Sequence, residues 1–245
     1  LKLLDEIITL NDDSNVHGIL VQLPLPEGFD EKQVTEAIDV QKDVDGFHSV
    51  NIGQLAKRDT QPLFLPCTPK GIMELLKSIS YDLKGKRAVV VGRSNIVGMP
   101  IAHLLQNQDA TVTVCHSKTV NIESIVREAD VLVVAIGKAN MIPGDWLKPG
   151  VIVIDVGTNA VPDASKKTGV RWVGDVHFDS AVKVASYITP VPGGVGPMTV
   201  AMLLDNTILS AQRFLKGYRI PTLYSQLNIL DPVPRYSMQS DVIVI

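Results

Sequence analysis

Short β-branched runs recur through the middle of the chain, at Arg87–Val91, Thr111–Cys115, 131–136 and 151–156, with a weaker one at Val170–Val173. Segments with helical spacing, 99–106 and 122–128, lie between the first three. Strands of about 5 residues alternating with helices predict βαβ units, a parallel sheet and right-handed crossovers. The runs are apolar throughout instead of alternating, which predicts a sheet covered by helices on both faces. Residues 67–196 therefore read as a doubly wound α/β domain, with ligands expected at the carboxyl ends of its strands.

The texture upstream is different. Residues 1–10 read as an apolar helix, followed by a polar turn at 11–15, a strand at 18–23, the proline-rich PLPEG and a helix around 31–38. This second α/β unit belongs to a piece, 1–66, whose front is expected to lie outside the chain, because Leu1 already sits inside an apolar pattern. A helix at 199–215 carries Val200, Leu203, Leu204, Ile208 and Ala211 on a 3.6-residue period and is expected to return to that first piece. Residues 217–245 have no helical period and read as a linker.

Composition narrows the function classes. Hydrophobic residues make up 45% and charged residues 20%, an ordinary globular balance. With 23 Lys and Arg against 26 Asp and Glu, the chain has no basic excess to neutralise a phosphate backbone, so no nucleic-acid partner is expected. No apolar run approaches the roughly 20 residues of a membrane helix, so no membrane role is expected. The two cysteines, Cys67 and Cys115, lack CxxC spacing and suit a reducing cytosol or organelle matrix. None of the five histidines forms an HxxxH pair, and no metal site is expected.

The strongest local signal is RAVVVGRSNIVGMP. A strand runs into Gly92 and a helix begins near Gly98, the setting in which glycines let a backbone approach a pyrophosphate at a helix N-terminus. The spacing Gly92-x-Ser94-x-x-x-Gly98 is one residue longer than GxGxxG, and such turns also occur with nothing bound. Ile96 occupies the position where a nucleophile elbow needs its second glycine, which excludes that hydrolase motif. An NAD site usually carries an acid about 20 residues beyond the glycine turn. Here the strand TVTVC ends in His116, Ser117, Lys118 and Thr119, with Arg93 in the turn, so NADP is preferred; a solvated loop is the alternative.

Two further segments stand out. Gln22 interrupts an apolar strand and calls for a specific partner, and Asp43 and Asp45 flank Val44 before Gly46. The structural alternatives are that Gln22 satisfies a loop backbone and Asp45 caps a turn. ITPVPGGVGPMT, residues 188–199, combines stiff prolines with Gly193, Gly194 and Gly196, which suits close ligand approach, an interdomain hinge, or both.

Taken together, VQLPLP, KDVDGF, PCTPKG, GRSNIVGMP, CHSKT, DVGTN, GDV and YITPVPGGVGPMT resemble the bifunctional methylenetetrahydrofolate dehydrogenase/cyclohydrolase family, in family order over residues 1–216. The resemblance implies a folate lobe, an NADP-binding Rossmann lobe and a homodimer. It implies oxidation of 5,10-methylenetetrahydrofolate with NADP, then hydrolysis of the product to 10-formyltetrahydrofolate. It also implies roles for individual residues. Asp45 holds the aminopyrimidine edge of the pterin, and Gln22 sits near the reacting one-carbon bridge; these two are the expected catalytic residues. Val21, Leu23, Pro192, Gly193, Gly194, Val195 and Gly196 line the folate side. Gly92, Arg93, Ser94 and Val97 take the dinucleotide phosphates, Ser117 joins Arg93 near the 2′-phosphate, and Thr158 lies near the nicotinamide.

The family's acid–base lysine belongs to a Tyr-x-x-x-Lys motif upstream of VQLPLP. Only Lys2 precedes Gln22 here, with no such motif, so that lysine is expected to lie outside the chain. The alternative reading is a scaffold or regulatory fragment that keeps the binding loops without the chemistry. LNILDPVP, residues 227–234, resembles the linker to a formate–tetrahydrofolate ligase domain in trifunctional C1-tetrahydrofolate synthases. A cytoplasmic location is expected, with a mitochondrial one as the alternative.

Overall fold

The computed structural model describes residues 2–217 and 242–244. The chain forms two compact units, Thr68–Met202 and the pair of segments Leu1–Cys67 and Leu203–Ile245.

The first of these is built on a parallel five-stranded sheet. Strands β2 (Arg87–Val91), β3 (Thr111–Cys115), β4 (Val131–Val134), β5 (Ile152–Asp155) and β8 (Tyr187–Ile188) lie in the order β3-β2-β4-β5-β8. Alternate residues of the central strands feed two cores. Ala88, Val90, Val133 and Ile154 pack with Ile72, Leu76, Ile101 and Leu105 of helices α4 (Cys67–Ser78) and α5 (Gly98–Asn107). Val89, Val91, Leu132 and Val153 face a second core with Val126, Ile142, Leu147 and Ala181. Both faces are thus covered, which is why β2, β4 and β5 read as unbroken apolar runs. The edge strand β3 departs from that expectation: Thr111 and Thr113 are exposed, and the strand alternates.

Two sequence readings are corrected in this unit. Val170–Val173 (β7) does not join the parallel sheet but pairs antiparallel with β6 (Asn159–Pro162). The fifth strand of the sheet is β8, two residues long, whose sequence carries no run to mark it.

In the other unit, α1 (Lys2–Asp12) buries Leu3, Ile7 and Leu10 against Ile19 and Val21 of β1 (Ile19–Val21) and Val34 of α2 (Glu31–Glu36). Asp30 caps α2 by accepting from the N–H groups of Lys32 and Gln33. α3 (Ser49–Leu55) follows, with α6 (Ile122–Val126) and α7 (Phe178–Ala181) in the sheet unit. The last helix, α8, runs Val195–Leu215, starting a turn earlier than its apolar period suggests. Its second half is tied to the α1/β1 unit. Asn206 donates to the carbonyls of Val44 (2.8 Å) and Leu65 (3.0 Å), Ser210 donates to Gln41, and Arg213 to Leu63. Of the expected linker 217–245, Gly217 and Val242–Val244 are described. The latter forms β9, antiparallel to β1 with Val244 opposite Ile19; the LNILDPVP segment lies outside the described residues.

Candidate active site

In the sheet unit, the site forms where strand order reverses between β2 and β4, the place where doubly wound sheets bind ligands. Gly92 follows β2 with φ +126°, and a Cβ there would lie 2.2 Å from the Ala135 carbonyl oxygen at the end of β4. Its N–H donates to Cys115 O of β3 at 2.9 Å. A Cβ on Gly98 would lie 2.3 Å from Gly92 O, so the turn closes only with glycine at both ends. Ser94 Oγ accepts from the N–H groups of Val97 and Gly98, 3.2 Å each, which starts α5 and leaves the hydroxyl proton free to donate. Arg93 is exposed, and Val97 is half-buried.

At the tip of β3, residues 116–119 form a tight turn. Thr119 Oγ1 accepts from His116 N–H, Thr119 N–H donates to His116 O, and Lys118 N–H donates to His116 Nδ1. Ser117 and Lys118 are left exposed, and no carboxylate occupies the turn.

Thr158 lies beyond β5, exposed, in a loop organised by two carboxylates that sequence reading missed. Asp155 accepts from the N–H groups of Gly157 (3.0 Å), Asp175 (2.9 Å) and Val176 (2.9 Å). Burial outweighs those donors and pushes its carboxyl up to about 6. Asp175, fully buried, accepts from Ile136, Gly137 and Lys138 N–H and from Asn159 Nδ2. The DVGTN and GDV motifs contain both acids, but nothing in a 20-residue separation reveals that they interlock.

In the other unit, the two acids of KDVDGF divide their work. Asp43 accepts from Gly46, Phe47 and His48 N–H and from Asn51 Nδ2, which clamps the turn. Burial nevertheless raises its pKa. Asp45 is half-buried and makes no hydrogen bond among the described residues. Burial, with Asp43 adding repulsion, pushes its carboxyl up to about 7. The turn cap is therefore Asp43, not Asp45. Lys42 is also committed: its ammonium donates to the carbonyls of Leu10, Asn11 and Asp13, satisfying the end of α1. Gln22 follows the structural alternative of satisfying a loop backbone. It is exposed just past β1 and, among the described residues, donates to the neighbouring Leu23 carbonyl at 3.0 Å, because the strand ends at Val21 before the polar side chain would be buried. Val21 is buried and Leu23 half-buried.

Pro192, Gly193 and Gly196 are exposed, Gly194 is half-buried and Val195 buried. Gly193 has φ +104°, and a Cβ on Gly194 would meet Pro190 O at 2.6 Å, so the bend into α8 requires the glycine pair.

A glycine turn at the switch point of a doubly wound parallel sheet defines a protein with a Rossmann-type dinucleotide-binding domain. Comparison with known proteins makes the assignment specific. The tetrahydrofolate dehydrogenase/cyclohydrolase NAD(P)-binding domain matches residues 66–215, and the catalytic domain of the same family matches residues 1–45. The chain belongs to the tetrahydrofolate dehydrogenase/cyclohydrolase family.

It is 59% identical over 212 residues to the chloroplastic bifunctional protein FolD 4 of Arabidopsis thaliana, covering 86% of this chain and 59% of that protein. It is 52% identical to the cytoplasmic C-1-tetrahydrofolate synthase of Drosophila melanogaster, covering 99% of this chain and 25% of the synthase. The Trypanosoma brucei methylenetetrahydrofolate dehydrogenase-cyclohydrolase, solved with NADP cofactor and an inhibitor, superposes with a TM-score of 0.83. It is 49% identical, and the match covers 89% of this chain and 73% of that one. The chain thus spans only part of the relatives it matches.

Proposed function

We propose that this chain carries out NADP-dependent oxidation of 5,10-methylenetetrahydrofolate to 5,10-methenyltetrahydrofolate, and the hydrolysis of that product to 10-formyltetrahydrofolate. The observation that carries the reading is the turn at the tip of β3. It directly follows Cys115, whose carbonyl accepts from Gly92 N–H, and presents Ser117 and Lys118 with no acid, an arrangement suited to a 2′-phosphate.

The residues present fit the cofactor. Gly92 leaves a cradle that any Cβ would fill, and Ser94 retains a hydroxyl donor. In this reading Gly92, Ser94 and Val97 border the pyrophosphate, Arg93 and Ser117 hold the 2′-phosphate, and Thr158 approaches the nicotinamide end. NADP, when bound, supplies the hydride acceptor. The chain's task in that step is positioning, since the lone pairs of the substrate's N5 and N10 drive the hydride off.

Asp45 suits the pterin for a physical reason. Its carboxylate makes no hydrogen bond among the described residues, and two adjacent N–H donors of an aminopyrimidine would satisfy it in bidentate fashion and draw it into the ionised form. Gln22, exposed just past β1, supplies an amide for the one-carbon bridge, with Val21 and Leu23 next to it in the chain; the motif resemblance assigns Pro192, Gly193, Gly194, Val195 and Gly196 to folate contacts as well.

Hydrolysis of the methenyl product needs an activated water and a proton shuttle. A second reading is a ligand-binding module without this step; what favours it is that Lys42, the lysine of KDVDGF, is engaged by three backbone carbonyls. Similar C-1-tetrahydrofolate synthases include cytoplasmic and mitochondrial proteins; a cytoplasmic location, a homodimer and an adjoining formate–tetrahydrofolate ligase domain are what the motif resemblance implies.

Calorimetric titration with NADP and NAD tests the cofactor reading. NADP is expected to bind about tenfold or more tightly than NAD, and the Arg93→Ala/Ser117→Ala double variant to erase the difference. Equal binding by the unmodified chain would overturn it.

A further inference from the structure

Thr158 is exposed, yet both of its neighbours are locked. Gly157 N–H is held by Asp155 at 3.0 Å, and Asn159 Nδ2 by Asp175 at 2.9 Å. The second oxygen of Asp175 reaches another chain segment. Asp175 Oδ2 accepts from Ile136 and Gly137 N–H at 2.7 and 3.0 Å, while Oδ1 takes Lys138 N–H at 2.8 Å. Asp155 in turn seats the backbone of Asp175 and Val176, and its own N–H donates to Thr189 Oγ1. Two segments leaving the carboxyl edge of the parallel sheet, after β4 and after β5, and the segment that follows β7 of the antiparallel pair are therefore fastened through two side chains.

Two glycines make room for this fastening. A Cβ on Gly157 would lie 2.3 Å from Asp175 Cγ, and one on Gly174 would lie 1.8 Å from Asp155 Oδ2. A core of this depth could be filled more cheaply by apolar side chains, since a buried carboxylate is costly unless its hydrogen bonds are complete. What the carboxylates provide that apolar packing cannot is a fixed backbone direction at the exposed end. Gly137, Lys138 and Thr158 stay open to solvent on that locked base, and the segment begins at Ala135, whose carbonyl touches Gly92.

We infer that Asp175, seated by Asp155, is a positioning residue of the dinucleotide site, holding Thr158 and the 136–138 backbone as one preformed rim beside the glycine turn. The inference rests on the NADP reading above. Preformation matters because every loop residue ordered on binding subtracts from affinity. The rim meets the nucleotide already ordered.

The test combines NADP titration with residue-resolved amide hydrogen exchange on the full chain, for wild type, Asp175→Asn and Asn159→Ala. In Asp175→Asn, an amide nitrogen replaces one acceptor oxygen. Its Kd for NADP is expected to rise about tenfold or more. Amides 136–138 should exchange faster, while those of Leu132 and Val133 within β4 stay protected. Asn159→Ala removes a single donor and is expected to weaken NADP binding about threefold, a loss of about 0.65 kcal/mol at RT of about 0.59 kcal/mol. Binding of a tetrahydrofolate ligand should not change in either variant.

A Kd within twofold of wild type, with 136–138 released, would overturn the inference, because the rim would then be ordered for stability alone. Loss of protection at Leu132 and Val133 in parallel with the rim would overturn it too. Should Asp175→Asn fail to fold, Asn159→Ala decides on the same two readouts. A wild-type chain that binds no NADP overturns the functional reading itself, whereas a wild type that binds and variants that bind equally well overturn this inference alone.

Discussion

Gly174 cannot carry a side chain because the Asp155 carboxylate occupies the space: a Cβ would sit 1.8 Å from Oδ2. The atom it meets belongs to a side chain held by three N–H donors, so nothing swings aside cheaply. Gly174→Ala should destabilise the protein by about 1–3 kcal/mol, the usual cost of overpacking, and lower Tm by about 2–4 °C per kcal/mol. Thermal unfolding followed by circular dichroism reads this, and an unchanged Tm would mean that the carboxylate is not anchored.

Gly92→Ala has two penalties, the 2.2 Å approach to Ala135 O and the φ of +126°. Both act on the turn proposed to border the pyrophosphate. The variant should bind NADP more than about tenfold more weakly even at temperatures where its circular dichroism matches wild type. Titration with NADP at such a temperature checks it.

The two acids of KDVDGF should respond oppositely to amidation. Asp43→Asn loses acceptor capacity to three backbone donors and Asn51, at about 1.5–3 kcal/mol for a charged hydrogen bond lost, and is expected to destabilise.

Asp45→Asn should stabilise the ligand-free protein, and only above acid pH. The Asp45 carboxyl is raised from 3.8 to about 7 on folding, so between these values the native state holds more protons than the unfolded chain. Native stability therefore falls as pH rises through that window, and the penalty is complete above about 7. The advantage of Asp45→Asn should be absent near pH 3.8 and greatest above pH 7. Urea unfolding of both proteins across this range checks the sign, and folate binding by the variant should be weak throughout.

How much of this was legible in the sequence depends on the range of the interaction. β2, β4 and β5 announce themselves because Val90, Val133 and Ile154 are buried on one face and Val89, Leu132 and Val153 on the other. The glycine turn is legible for the same local reason, since Gly92 and Gly98 answer to contacts only a few residues away in chain or across one strand. β8 is invisible because two residues, Tyr187 and Ile188, make no pattern. α4 hides its core side, Ile72 and Leu76, among Thr68, Lys70, Glu74 and Lys77. Between the two readings of Gln22 the sequence does not choose, because strand length, not polarity, decides where burial stops, and β1 ends at Val21. The roles of Asp43 and Asp45 cannot be separated by spacing, since only the turn that gathers three N–H groups onto Asp43 distinguishes them. Asp155 and Asp175 likewise become partners only when the sheet closes.

The most direct test is the hydride transfer itself: NADPH formation by the purified chain supplied with 5,10-methylenetetrahydrofolate and NADP, beside Asp45→Asn. The chain should reduce NADP, reduce NAD more slowly, and lose both activities on Asp45→Asn. A chain that binds both NADP and the folate yet forms no NADPH, or one that reduces NAD as readily as NADP, would contradict it.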